Sequence, residues 1–242
     1  MSLLALQNVS LCYDKSPVLQ DISFSLEKGE NMLIVGSNGA GKTTLLKVLS
    51  GLLAPCNGKI LVNGTIITKE NTPTLQKNIA YIPQDLGLIE SYTVLQNILL
   101  GAVHTLSWWQ TLFNQFPAHH VSKAEQLIAD LSLAELATTK IKYLSGGQKK
   151  KVAIARALML NPEIILTDEM TSDLDHKAAQ EVISYFEALQ RSNACSVILV
   201  EHHVGHVLGF VDHLITLANH RVEHTIARKD IPTFLEHYFL AA

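Results

Sequence analysis

The sequence predicts an α/β protein with a buried parallel-type sheet, an antiparallel β region ahead of it and a helical segment inserted in the middle. Three observations carry this. First, "NMLIVG" (31–36), "EIILTDE" (163–169) and "CSVILVEH" (195–202) are short apolar runs of the kind buried on both faces of a sheet. Second, helical patterns at 42–53 and 176–190 alternate with those runs. Third, from about 86 to 158 the strand signals thin out and helical periodicity takes over.

The elements follow in order. "LLALQNVSL" (3–11) and "ISFSL" (22–26) alternate apolar and polar residues, as antiparallel strands of a half-buried sheet do. "EKGE" (27–30) is a turn, and "NMLIVG" runs straight into a glycine-rich loop. "KTTLLKVLSGLL" (42–53) is a helix, "PCNGKILVNG" (55–64) gives turn, strand, turn, and "NIAYIPQ" (78–84) is a short strand. The clearest helices of the middle segment are "AEQLIADLSLAEL" (124–136) and "QKKKVAIARALML" (148–160). "HLITLANHRVEHT" (213–225) is a closing hairpin. The run Lys149–Lys151 reads as a solvated helix face.

At 242 residues and 48% apolar composition, the chain suits one large domain, with or without an inserted subdomain. A net charge of −3 gives no electrostatic reason to expect nucleic acid as a partner. No apolar run approaches the roughly 18 residues of a membrane span, and nothing resembling a signal peptide precedes the first strand. The expectation is a soluble, cytoplasmic chain, whose mean hydropathy of +0.19 favours burial of some surface on partners. Cys12, Cys56 and Cys195 are far apart in sequence and odd in number, and read as reduced thiols.

"GSNGAGKT" (36–43) fits G-x-x-x-x-G-K-[ST] at every fixed position, with a strand before it and a helix after. The physical reason for the pattern is anion capture. Gly36, Ser37, Asn38, Gly39, Ala40 and Gly41 form a tight loop whose N–H groups point inward, and the helix N-terminus adds partial positive charge. Lys42 reaches β- and γ-phosphates, Thr43 offers a hydroxyl to Mg²⁺, and Thr44 an α-phosphate contact. The chain is therefore expected to bind a nucleoside triphosphate.

"IILTDE" ends a buried strand in two adjacent carboxylates. Asp168 is placed to hold the Mg²⁺ shell, and Glu169 to orient or deprotonate an attacking water. "EHHVGH" (201–206) holds three histidines. His202 and His206 have the i, i+4 spacing of a metal pair if helical, yet the stretch also reads as a strand ending at one working histidine.

"LSGGQ" (144–148), followed by "KKKVAIARAL", resembles the signature of ABC-transporter ATPases. The family order is present across the chain: phosphate loop, Gln84 after a strand, signature, acid pair, "SDLD" (172–175), then His202. The resemblance implies a P-loop NTPase (RecA-like) α/β core with an antiparallel β subdomain and an inserted α-helical signature subdomain. It implies a single domain over 1–242, with its core at about 1–85 and 159–242 and the helical subdomain at about 86–158. ATP and Mg²⁺ are the implied cofactors. Catalysis falls to Glu169, His202, Lys42 and Gln84, and Mg²⁺ to Thr43, Gln84 and Asp168. Tyr13 matches the aromatic that stacks on adenine. Ser145, Gly146, Gly147 and Gln148 match residues that contact the γ-phosphate held by a second ATPase subunit, so a homodimer with two shared ATP sites is implied. Asp175 matches the acidic end of the dimer-contact loop; of the histidines, His203 faces away and His206 is a surface or packing residue one turn into a helix.

Three positions depart from the family pattern: Met170 for a proline, which loosens the next turn, Asp173 for a small residue, and Lys151 for an arginine. "TVLQNILLGAVHTLSWWQTLFNQFP" (93–117) and "IADLSLAEL" (128–136) resemble segments of phosphonate-import ATPases, with Trp108 and Trp109 alternatively packing residues. "EHH" and "LANHRV", which lacks a glycine, depart from that group. The implied function is to energise transport through separate membrane permease subunits, as import of phosphonate or a related phosphorus oxyanion with an extracytoplasmic binding protein. The implied location is peripheral, on the cytoplasmic face of the cell membrane. The alternative is another ABC system: amino-acid or metal uptake, lipoprotein release, or export.

Overall fold

A computed structural model describes residues 2–13, 16–68, 72, 77–106, 108–109, 115–191, 195–202 and 204–240. Two sheets and an outer layer of helices make up the molecule. The antiparallel sheet has the order β2(Ser16–Glu27), β1(Ser2–Tyr13), β4(Asn57–Val62), β5(Thr65–Ile66). The central sheet has the order β10(Arg221–Ala227), β9(His213–Ala218), β3(Met32–Val35), β8(Ser196–Val200), β7(Ile164–Asp168), β6(Ile79–Ile82). From β9 to β6 every pairing is parallel, and β10 closes the edge antiparallel.

Period-two alternation explains why the central strands are apolar throughout. Met32 and Ile34 enter one core with β1, β2, β4 and the helix α1(Lys42–Leu49), while Leu33 and Val35 enter the other. Leu166 and Ile198 likewise face the first core, Ile165 and Leu199 the second. That second core is covered by α2(Val94–Leu99), α3(Ala118–Asp130), α4(Gly146–Leu158), α5(His176–Arg191) and α6(Ile231–Leu240). Among the described residues no helix is long and apolar enough to cross a membrane.

Several boundaries differ from the sequence reading. The helix expected at 42–53 ends at Leu49, because Gly51 turns left-handed (φ 73°) and the N–H groups of Leu52 and Leu53 both fold back onto Lys47 O. The helix expected at 124–136 runs Ala118–Asp130 instead. Ser132 (φ 57°) breaks it, and Ala134–Leu136 forms a separate 3₁₀ turn. The hairpin at 213–225 turns on Asn219 (φ 47°) and His220 (φ 67°), two left-handed residues that do without glycine.

Lys149–Lys151 is not a uniformly solvated face. Three consecutive helical residues point about 100° apart, so one must turn inward. Lys150 is buried and donates to Ser172 O, Lys151 pairs with Glu181 at 2.8 Å, and only Lys149 makes a loose surface contact, with Glu90 at 3.8 Å. Trp108 and Trp109 are exposed and stack on each other, ring centroids 3.5 Å apart, so they are not core packing residues. The pairing of β1 with β4 brings Cys12 Sγ and Cys56 Sγ to 2.8 Å on the surface, while Cys195 is buried.

Candidate functional site

The parallel strands end together. Register pairs Ile34 with Val200, Val200 with Asp168, and Thr167 with Ile82, so the loops after β3, β8, β7 and β6 leave the same edge. Sites in parallel sheets form at such carboxyl edges.

The phosphate loop leaves β3 and enters α1. A Cβ on Gly36 would lie 2.1 Å from Leu217 O, so only glycine lets the loop pass β9. Gly41, the N-cap of α1, holds φ 104° and supplies no side-chain cap, which leaves the first N–H groups of α1 to a ligand. Lys42 Nζ donates to Gly36 O at 2.8 Å and Ser37 O at 3.0 Å. Burial lowers its pKa, while Glu169 and Asp168 act to raise it. A cleft of about 200 Å³ is lined by Asn38, Gly39, Gly41, Lys42, Thr43 and Thr44, together with Val18, Glu169 and His202. An adjoining cleft of about 380 Å³ holds Thr43 again, with Tyr81, Gln84, Asp85 and Asp168.

Asp168 is buried. Burial raises its pKa, and its hydrogen bond with Thr43 opposes the rise. Tyr81, not anticipated from the sequence, faces it; burial and the Asp168 charge push the phenol up. Glu169 is the hub. Its Oε2 accepts Gln84 Nε2 at 2.8 Å, and its Oε1 lies 3.1 Å from His202 Nε2. A carboxylate offers only acceptors, so that imidazole nitrogen is the donor. Strands β6, β7 and β8 thus deliver Gln84, Glu169 and His202 to one point beside the phosphate loop.

His202 and His206 do not form a pair. His206 sits in a 3₁₀ turn (Val204–His206), not an α-helix, and faces His176 with centroids 5.1 Å apart. His203 and the Tyr13 side chain lie outside the described residues. Met170 is buried and the turn after it is held firmly: Ser172 Oγ donates to Glu169 O at 2.7 Å and Thr171 N to Glu201 Oε1 at 2.7 Å. The turn expected to loosen where Met170 stands for a proline carries both of these hydrogen bonds. Asp175 accepts Ala178 N at 2.9 Å and caps α5.

The signature stands apart from this cleft and supplies none of its lining. Ser145 caps α4: its Oγ accepts Gln148 N at 3.3 Å, and Gln148 Oε1 accepts Ser145 N at 2.9 Å. A Cβ on Gly146 or Gly147 would meet nothing nearer than 3.9 and 3.5 Å. The fold of this chain does not need glycine there, so the bare surface suits close approach from outside.

Comparison with known proteins identifies the family. The family model described as ABC transporter matches residues 19–172. The chain is 35% identical to "Phosphonates import ATP-binding protein PhnC" of Fusobacterium nucleatum subsp. nucleatum, covering 90% of each chain. It is 34% identical to the protein of that name from Hydrogenovibrio crunogenus, covering 84% of this chain and 75% of the relative. A crystal structure of a nucleotide-free ATP-binding cassette from an ABC transporter superposes with TM-score 0.86 at 30% identity, covering 98% of this chain and 96% of that one. A dimeric ATP-binding cassette in a post-hydrolysis state, bound to ADP and Pi, gives TM-score 0.78 at 26% identity, covering 93% and 98%. The chain belongs to the ABC transporter family, as an ATP-binding and ATP-hydrolysing subunit.

Proposed function

We propose that this subunit energises import of a phosphonate, or a related phosphorus oxyanion, by hydrolysing ATP at sites shared between two copies of the chain. The observation that carries the hydrolytic reading is the Glu169 carboxylate, held by Gln84 and His202 at the mouth of the phosphate loop. Loop N–H groups and Lys42 hold the β- and γ-phosphates, Thr44 contacts the α-phosphate, and Tyr13 stacks on adenine. Glu169 takes a proton from the attacking water, and His202 orients that carboxylate and the γ-phosphate.

Thr43, Gln84 and Asp168 fit Mg²⁺: they supply a hydroxyl, an amide oxygen and a carboxylate, all hard donors. A carboxylate as buried as Asp168 (4% exposed) also calls for a cation. When bound, Mg²⁺ neutralises phosphate charge. Ser145, Gly146, Gly147 and Gln148 of one copy face the nucleotide on the other. This requires a dimer, because those residues do not line their own cleft.

The cargo reading rests on relatives named for phosphonate import and on the segments 93–117 and 128–136. The partners are permease subunits, which the helical region at 86–158 meets at the cytoplasmic face of the membrane, and an extracytoplasmic binding protein. In Glu169→Gln, ATP binding persists and hydrolysis falls at least about 100-fold; a parental rate overturns the base assignment. Cells lacking this chain grow on inorganic phosphate but not on a phosphonate as sole phosphorus source; undiminished growth on the phosphonate overturns the cargo.

A further inference from the structure

Glu201 is a buried carboxyl that the site above does not use. It precedes His202 at the end of β8 and is 2% exposed. Its Oε1 accepts the N–H of Thr171 at 2.7 Å, and its Oε2 has no hydrogen-bond partner among the described residues. Thr171 stands two residues after Glu169. One side chain thus ties the turn that leaves the acid pair to the strand end that carries His202.

A second buried group grips the same turn. Lys150, 7% exposed in α4, donates to Ser172 O. Ser172 Oγ in turn donates to Glu169 O at 2.7 Å. Glu169 needs this support, since its φ of 54° is left-handed and disfavoured for a side chain of its kind. Burial pushes the Glu201 carboxyl up to about 7, against the Thr171 hydrogen bonds and the Lys150 charge. Burying two ionisable groups is costly, and an apolar pair could have filled the space.

We infer that Glu201 and Lys150 are positioning residues for hydrolysis. They hold the 169–172 turn so that Glu169 stays against His202 and Gln84. They also join that turn to α4, whose first residues face the nucleotide of the other copy. Lys150 lies little more than one helical turn beyond Ser145–Gly147. Engagement of α4 with the second nucleotide is therefore felt at the base of the first. The inference rests on Glu169 acting as the base.

The test compares Glu201→Ala, Glu201→Gln, Lys150→Met and Glu169→Gln by steady-state ATPase kinetics and by ATP binding in calorimetry. Gln keeps an acceptor for the Thr171 N–H and Ala does not. The expected result is a loss of at least tenfold in kcat for Glu201→Ala and Lys150→Met, with KM and ATP affinity within twofold of the parent. Glu201→Gln should stay within threefold of the parental kcat. Parental kcat in both Glu201→Ala and Lys150→Met overturns the inference, as does equal loss in Glu201→Ala and Glu201→Gln, or a loss confined to KM. If Glu201→Ala does not fold, Lys150→Met decides by the same kcat criterion. Glu169→Gln separates the two readings. If it is inert while Glu201→Ala and Lys150→Met are at the parental rate, only this inference fails; if it turns over like the parent, the base assignment fails and this inference with it.

Discussion

Two helix N-termini in this molecule carry glycines suited to phosphate, and they are built differently. At α1, Gly41 offers no side-chain cap and a left-handed backbone, and the loop before it could hold no other residue at Gly36. At α4, Ser145 and Gln148 cap each other, and Gly146 and Gly147 have room for side chains. The α1 terminus is shaped by its own chain, with its first N–H groups left for a phosphate. The α4 terminus is capped without a ligand, and its glycines leave a bare surface that suits the proposed approach of a second copy's nucleotide.

Variants that treat the two termini alike should therefore have opposite effects. Removing the α1 cation is the largest. Lys42→Ala should weaken ATP binding about 10- to 100-fold in calorimetry, the scale of a lost charge-assisted contact to phosphate. Next comes a matched glycine pair. Gly41→Ala forces a side chain into φ 104° and to 2.9 Å from Leu19 Cδ2, so it should lower both stability, by about 1–3 kcal/mol, and ATP affinity. Gly147→Ala should raise stability by about 0.5 kcal/mol, leave ATP affinity of the single chain unchanged and still suppress hydrolysis. Equal losses of ATP affinity in both variants would erase the distinction.

The turn linking the two regions has its own signature in pH. Burial raises the Glu201 pKa to about 7, so the folded state holds a proton that the unfolded state has released. The resulting stabilisation is present below the unfolded value of about 4.5 and is lost as pH rises through about 7. Between pH 5 and 8 the parent should lose at most about 3 kcal/mol relative to Glu201→Gln in denaturant titrations. A difference that does not vary with pH would contradict this. The cap contributes modestly: Ser145→Ala should cost about 1 kcal/mol of stability in denaturant titrations.

The same contrast explains what could be read in the sequence. The phosphate loop is eight contiguous residues, so its motif and its geometry coincide. The acid pair, Gln84 and His202 each end a strand, and parallel register brings them together as expected. Lys150 looked like one charge in a solvated run, because sequence does not say which of three neighbours turns inward. Glu201 registered only as a departure from pattern, since its partner lies 30 residues away in another loop. Tyr81 was hidden for a related reason: its role depends on β6 lying beside β7. Cys12 and Cys56, far apart in sequence, meet only through the β1–β4 pairing.

We propose that a second copy of the chain completes the hydrolytic site and that Glu169 fires it, and sedimentation of Glu169→Gln with and without ATP decides between this and a self-contained site. Without nucleotide the variant should sediment as a monomer, and with ATP as a stable dimer holding two ATP per pair of chains. Adding Gly147→Ala should return the ATP-bound variant to monomer. A Glu169→Gln chain that stays monomeric at saturating ATP while hydrolysing it at the parental rate would refute both the shared site and the base.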